Sequence, residues 1–121
     1  MNTKPKTIIC DIDGVILKHK NSGLSSQLST ATPSICLEVT DKFNEWDAKG
    51  YNIILITGRR ESHREETIKT LKKYGLFFDH LIMGVGGGDR VLINDKKPDS
   101  QRDTAIAINL NRNEGIQNVE L

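Results

Sequence analysis

Apolar residues gather along this chain in short runs, and the stretches between them show a different rhythm. Residues 7–10, 51–56, part of 77–83, 90–94 and 104–110 are compact runs rich in Ile, Val and Leu. Continuous apolar runs of this length, rich in β-branched residues, predict buried strands. From Pro33 and Ser34 the apolar positions Ile35, Leu37, Val39, Phe43 and Trp46 follow at mostly helical spacing, and Gly50 supplies a C-terminal cap. A second helix is predicted from about residue 61 to 74, with Ile68 and Leu71 inward, a charged outer face that includes His63, and Gly75 as its stop. The apolar stripe over 35–46 reads as core and not as a ligand pocket.

Strands that alternate with helices predict a parallel sheet with right-handed crossovers covering both faces. The expected fold is therefore α/β, a three-layer doubly wound, Rossmann-like sheet of about five strands. No internal repeat or linker interrupts residues 1–121, which read as a single domain. Residues 19–32, rich in Ser, Thr and Asn, read as a loop or small hairpin pinned by Leu24 and Leu28. The tail from 111 to 121 is polar, with a turn near Gly115, and is expected to pack loosely. His80 reads as a structural histidine.

Composition then removes whole classes of function. The net charge is +1, so no basic excess points to nucleic acid or an anionic membrane, and nucleic acid is an unfavoured partner. Aromatics at 5% are too few for base-stacking platforms. No apolar run reaches the roughly 20 residues of a membrane span, and the polar start Met1-Asn2-Thr3-Lys4-Pro5-Lys6 is unlike a signal peptide. Cys10 and Cys36 stand far apart in no metal or redox pattern, so a reducing, cytoplasmic setting fits. Cys10 reads as a small buried apolar residue.

Candidate chemistry sits where the apolar runs end. Asp11 and Asp13 close the first run, and residues two apart in extended chain point the same way. Two carboxylates held together cost free energy unless a cation or shared proton relieves them. Gly14 lets the chain turn sharply away. A calcium loop fits poorly, because Val15 and Ile16 occupy its fifth and sixth positions. The second run ends at Thr57, Gly58 and Arg59, and the fourth at Asp95 and Lys96. Ligands of such sheets bind beyond the carboxyl ends of the strands. The glycine-rich stretch 84–89 matches neither the P-loop nor the dinucleotide pattern.

Asp11-Ile12-Asp13-Gly14-Val15, Ile54-Leu55-Ile56-Thr57-Gly58-Arg59 and Val91-Leu92-Ile93-Asn94-Asp95, with Asp99 four on, resemble the first, second and fourth motifs of the haloacid dehalogenase superfamily of phosphohydrolases. The resemblance runs from about Thr7 to Leu110. It implies a Mg²⁺-dependent phosphatase in which Asp11 attacks phosphorus to form an aspartyl-phosphate. Asp13 would protonate the leaving oxygen and then activate water. Thr57, with Gly58 and Arg59, would bind the phosphoryl group. Asp11, Asp13 through its backbone carbonyl, and Asp95 would hold the metal, and oxygen-only donors suit Mg²⁺.

The chain departs from that pattern at the superfamily's third motif, a Lys or Arg shortly before the fourth strand. Gly86-Gly87-Gly88 stands there, and Arg90, at the start of that strand, is expected at the sheet's opposite edge. Lys96 or Arg59 is the expected substitute. The short 19–32 segment implies a member without a cap domain, with a small phosphorylated substrate such as a sugar phosphate and a pocket completed by homo-oligomerisation. Two other readings stand beside it. One is a polynucleotide end phosphatase, and the other is a non-catalytic phosphate-binding or partner-binding module of the same fold.

Overall fold

The structure, a computed structural model, describes residues 4–19, 34–36 and 38–121. The segment expected over 19–32 therefore lies outside the described residues except for His19, and so do Pro33 and Leu37 of the first predicted helix. Three strands, β1 (Thr7–Asp11), β2 (Asn52–Ile56) and β3 (His80–Ile82), form one parallel sheet in the order β1-β2-β3. Helix α1 (Val39–Ala48) connects β1 to β2, and helix α2 (Arg64–Lys73), entered through a 3₁₀ turn at Glu61–His63, connects β2 to β3. Ile9 lies opposite Ile54 and Asp11 opposite Ile56, so the two strands end level with each other.

This βαβαβ unit follows from the apolar pattern. Val39, Phe43 and Trp46 of α1 are buried, and the Phe43 and Trp46 rings stand 5.4 Å apart. Leu55 from β2 and Leu71 from α2 are fully buried in the same core. Burial of each such side chain contributes about 1.5–3 kcal/mol. Beyond β1 the chain makes a tight turn. Gly14 adopts φ +90, a left-handed value that glycine takes without penalty. The Gly14 amide donates to the Leu17 carbonyl at 2.7 Å, and the amides of Ile16 and Leu17 donate to the Ile12 carbonyl. Ile12, Ile16 and Leu17 are each fully buried, so apolar anchors hold this turn from below.

The structure corrects several expectations. Helix α1 starts at Val39, after Glu38 in a left-handed conformation, and not at Pro33 or Ser34. The reason is local: the Ser34 carbonyl accepts from the Lys18 amide and the Cys36 amide donates to the Ile16 carbonyl. These bonds, with the Leu17–Ile35 bridge, hold 34–36 extended against the first turn. On α2, Thr67 and Thr70 are buried beside Leu71, while Ile68 is only partly covered.

The larger correction concerns the second half of the chain. The predicted fourth and fifth strands, 90–94 and 104–110, are not strands, and among the described residues the sheet has three strands and not about five. Val91, Leu92 and Ile93 are 82%, 59% and 91% exposed. A strand needs a ladder partner, and β1 bonds only to β2 among the described residues. The 94–104 stretch closes on itself instead, through Asn94 to the Thr104 hydroxyl and Lys96 to Asp103. The tail, expected to be loose, buries Ile116 and Val119 in the core.

Candidate active site

Asp13 is the hub of the site. Its carboxylate receives the Arg59 guanidinium two-fold, Nη2 to Oδ1 at 2.7 Å and Nε to Oδ2 at 3.1 Å. The Thr57 hydroxyl donates to the same Oδ2 at 3.2 Å. Fork-shaped Arg–carboxylate pairs combine charge with directional hydrogen bonds, so they fix orientation as well as energy. The pair is largely covered, with side-chain exposures of 23% and 27%. Arg59 is itself held from behind, because Nη1 donates to the Thr67 hydroxyl of α2 at 3.1 Å.

The β2 end builds the rest. Thr57 is fully buried, donates its amide to the Ile82 carbonyl, and accepts the Val85 amide, so the strand geometry continues one residue past β2. Its hydroxyl oxygen also accepts the Arg59 amide at 3.1 Å. Gly58 suits the close approach of this turn, since a Cβ there would stand 3.1 Å from the Val85 carbonyl oxygen, tighter than ordinary contact. The Gly84 amide then donates to the Arg59 carbonyl at 2.7 Å, tying the Thr57–Arg59 turn to the chain beyond β3.

Asp11 closes β1, half-buried, with its Oδ1 accepting the Ile12 amide at 3.0 Å. Burial pushes its carboxyl above the ordinary value. The Ile12 amide and the Arg90 charge pull it down, the neighbouring Asp13 raises it again, and His19 lowers it. Asp11 is thus a carboxylate that its surroundings do not fully compensate. Cys10, next to it, is inert: burial, then the Asp11 charge, push its thiol up to about 12.

The predicted residues divide cleanly. Asp11, Asp13, Thr57, Gly58 and Arg59 meet at the ends of β1 and β2. Asp95 does not join them: it is exposed, on a segment outside the sheet, and the described residues contain no group of three metal-binding side chains. Lys96 is exposed and pairs with Asp103 at 3.3 Å. The donor set therefore fits a divalent cation in part. The under-compensated Asp11 carboxylate at a strand end is the kind of group a cation relieves, but Asp95 is not carried to it.

Sequence reasoning missed four contributors. Arg90 was assigned to the far edge because a strand was expected to start there; without that strand its charge acts on Asp11. Thr67 could have been found from its place one turn before Leu71 on the inner face of α2. His19 and Asn113 carried no signal, since they meet only through the fold: Asn113 bonds the His19 backbone through its side chain.

The family model for the polynucleotide kinase PNKP phosphatase domain matches residues 5–117. A chain of the Pnkp1/Rnl/Hen1 complex superposes with a TM-score of 0.54 at 29% identity, over 65% of this chain and 27% of that one. A chain of the Pnkp1/Rnl/Hen1 RNA repair complex gives a TM-score of 0.52 at 25% identity, over 80% of this chain and 28% of that one. The present chain thus spans little more than a quarter of either. No curated protein matches it.

Proposed function

The chain belongs to the polynucleotide kinase phosphatase domain family, within the haloacid dehalogenase superfamily of phosphohydrolases, and from that premise we propose that it removes phosphate from a phosphorylated polynucleotide end. The observation that carries this reading is the match over residues 5–117 coinciding with the assembled Asp11, Asp13, Thr57 and Arg59. The net charge of +1 speaks mildly against a polyanion, but a domain that grips only a terminus needs few phosphate contacts.

The chemistry divides hydrolysis into two displacements. An Asp11 carboxylate oxygen attacks phosphorus while the bond to the leaving oxygen breaks, and Asp13 gives that oxygen its proton. Water then attacks the aspartyl-phosphate, Asp13 takes the water's proton, phosphate leaves, and Asp11 is restored. In the free protein both Asp13 oxygens are engaged by Arg59 and Thr57. Substrate entry must loosen that pair, and the guanidinium fork that grips a carboxylate is equally suited to phosphoryl oxygens. Arg59 therefore holds Asp13 before binding and the phosphoryl group after it. Arg90, whose charge already acts on Asp11, takes the part of the absent third-motif base in preference to Lys96. The Asp11 carboxylate and the Asp13 backbone carbonyl would hold Mg²⁺, which lowers the repulsion between an anionic nucleophile and an anionic substrate.

Phosphate release would be compared on oligonucleotides phosphorylated at either end, on mononucleotides and on sugar phosphates, with Mg²⁺ and with chelator. The expected order places an oligonucleotide end first, with activity lost on chelation. Preference for a sugar phosphate would replace the substrate class, and full activity after exhaustive chelation would remove the metal. Release from none of them would favour a non-catalytic module.

A further inference from the structure

A cavity of about 600 Å³ lies beside the turn that follows Asp13, and none of the chemistry above uses it. Lys18 and Ile35 line one side and the C-terminal segment 109–118 the other. Half of the lining residues carry a carboxamide, among them Asn109, Asn111, Gln117 and Asn118. Asn111 donates to Glu114 at 3.0 Å. Asn109 and Asn118 are exposed and Gln117 is half-buried, so these carboxamides are open to a ligand from solvent.

This wall is fastened both to the core and to the catalytic turn. Ile116 and Val119 are buried and anchor the segment. Asn113, in a left-handed conformation at φ 67, donates its amide to the Gly14 carbonyl at 2.8 Å. Its carboxamide accepts the His19 amide at 2.5 Å and donates to the His19 carbonyl at 3.2 Å. Arg112 covers Gly14 so closely that a Cβ there would meet its Cγ at 3.4 Å. The residue after Asp13 and a wall of the cavity are therefore one bonded unit.

We propose that this carboxamide-lined cavity receives the nucleobase and sugar of the nucleotide next to the scissile phosphate. The proposal rests on the polynucleotide reading and names where its specificity lies. A volume of this size is ample for a nucleoside, within the usual range of about 300–1,000 Å³ for ligand pockets. A carboxamide offers a donor and an acceptor side by side, the arrangement that matches a base edge. Lys18 at the rim supplies a cation for a neighbouring phosphate. The low net charge fits as well, since the cavity recognises the uncharged part of the nucleotide.

The test separates this site from the phosphatase reading by measuring binding without turnover. The full chain, labelled with ¹⁵N and kept in excess chelator so that no hydrolysis occurs, is titrated with adenosine 3′-monophosphate, ribose 5-phosphate and inorganic phosphate. The nucleotide is expected to shift the side-chain NH₂ signals of Asn109, Gln117 and Asn118, and inorganic phosphate is not. Gln117→Ala combined with Asn118→Ala should weaken nucleotide binding about tenfold, the scale of one or two lost hydrogen bonds. Hydrolysis of a small aryl phosphate by the same variant should be unchanged. Equal shifts with ribose 5-phosphate would overturn the nucleobase assignment in favour of a polyol pocket. Nucleotide shifts confined to residues around Asp11 and Thr57 would overturn the cavity altogether while leaving the catalytic reading in place. Cavity shifts in a protein that releases phosphate from nothing would uphold the site and remove the activity.

Discussion

Residues 7–83 and residues 84–110 are both rich in apolar runs, yet only the first of the two regions is packed. In the first, every predicted strand finds a partner, and Leu55 and Leu71 are fully buried. In the second, Val91 and Ile93 are more exposed than the charged groups of the site. The contrast governs the chemistry. Asp11, Asp13, Thr57 and Arg59 come from the packed region and touch one another or lie together at the strand ends. Asp95 and Lys96 come from the other region and do not reach them. A motif residue is placed by the ladder that carries it, so a motif without its ladder is only a sequence.

The strongest way to sharpen this comparison is Asp11→Asn. It is expected to abolish phosphate release and covalent phosphorylation, read by acid-quenched labelling. It should also raise the melting temperature at neutral pH. The folded state holds the Asp11 carboxyl above its ordinary value, so ionising it costs stability as pH rises through that region. The gain from Asn should therefore be full at pH 7, fade as pH falls through the raised folded-state value, and vanish below about pH 3, where the parent carboxyl is protonated in both states. A variant that turns over at the parent rate would remove Asp11 as nucleophile.

Arg59→Ala comes next. Losing a preorganised cation at the phosphoryl group is expected to lower kcat/KM about a hundredfold or more. Lys96→Ala, on the exposed segment, should change it little. Equal losses at both positions would show that the segment of Asp95 and Lys96 reaches the site during turnover, and steady-state kinetics on one oligonucleotide substrate would decide it.

The last experiment addresses packing directly. Leu55→Ala should cost about 2–5 kcal/mol, as a buried truncation does. Ile93→Ala should stay within about 0.5 kcal/mol, the usual range for a surface change. Denaturant titration measures both. A cost above about 2 kcal/mol for Ile93→Ala would break the comparison, because it would mean that 91–94 is buried against the open edge of β1.

Much of the packed region was legible beforehand. The runs ending at Asp11 and Ile56, the Phe43 and Trp46 stripe, and the stops at Gly50 and Gly75 follow from periodicity and backbone preference, which are local properties. The pairing of the first and second motifs was legible too, because parallel strands that end level bring their following residues together. The start of α1 was not, since backbone bonds from Ile16 and Lys18 to residues 34–36 override the helical spacing there.

What the sequence by itself determined is therefore the order of the elements, the faces they bury, and the chemistry stored at their ends. What only the tertiary structure decided is which of those ends meet. Arg59 turned to Asp13 because Thr67, from a separate helix, holds its other nitrogen. Arg90 came within electrostatic reach of Asp11 because no strand carried it away. Asn113, 94 residues from His19, closed the catalytic turn. Each depends on contacts between residues far apart in the chain. Local preference carries no information about such contacts, because their energy exists only once the core has brought the partners together.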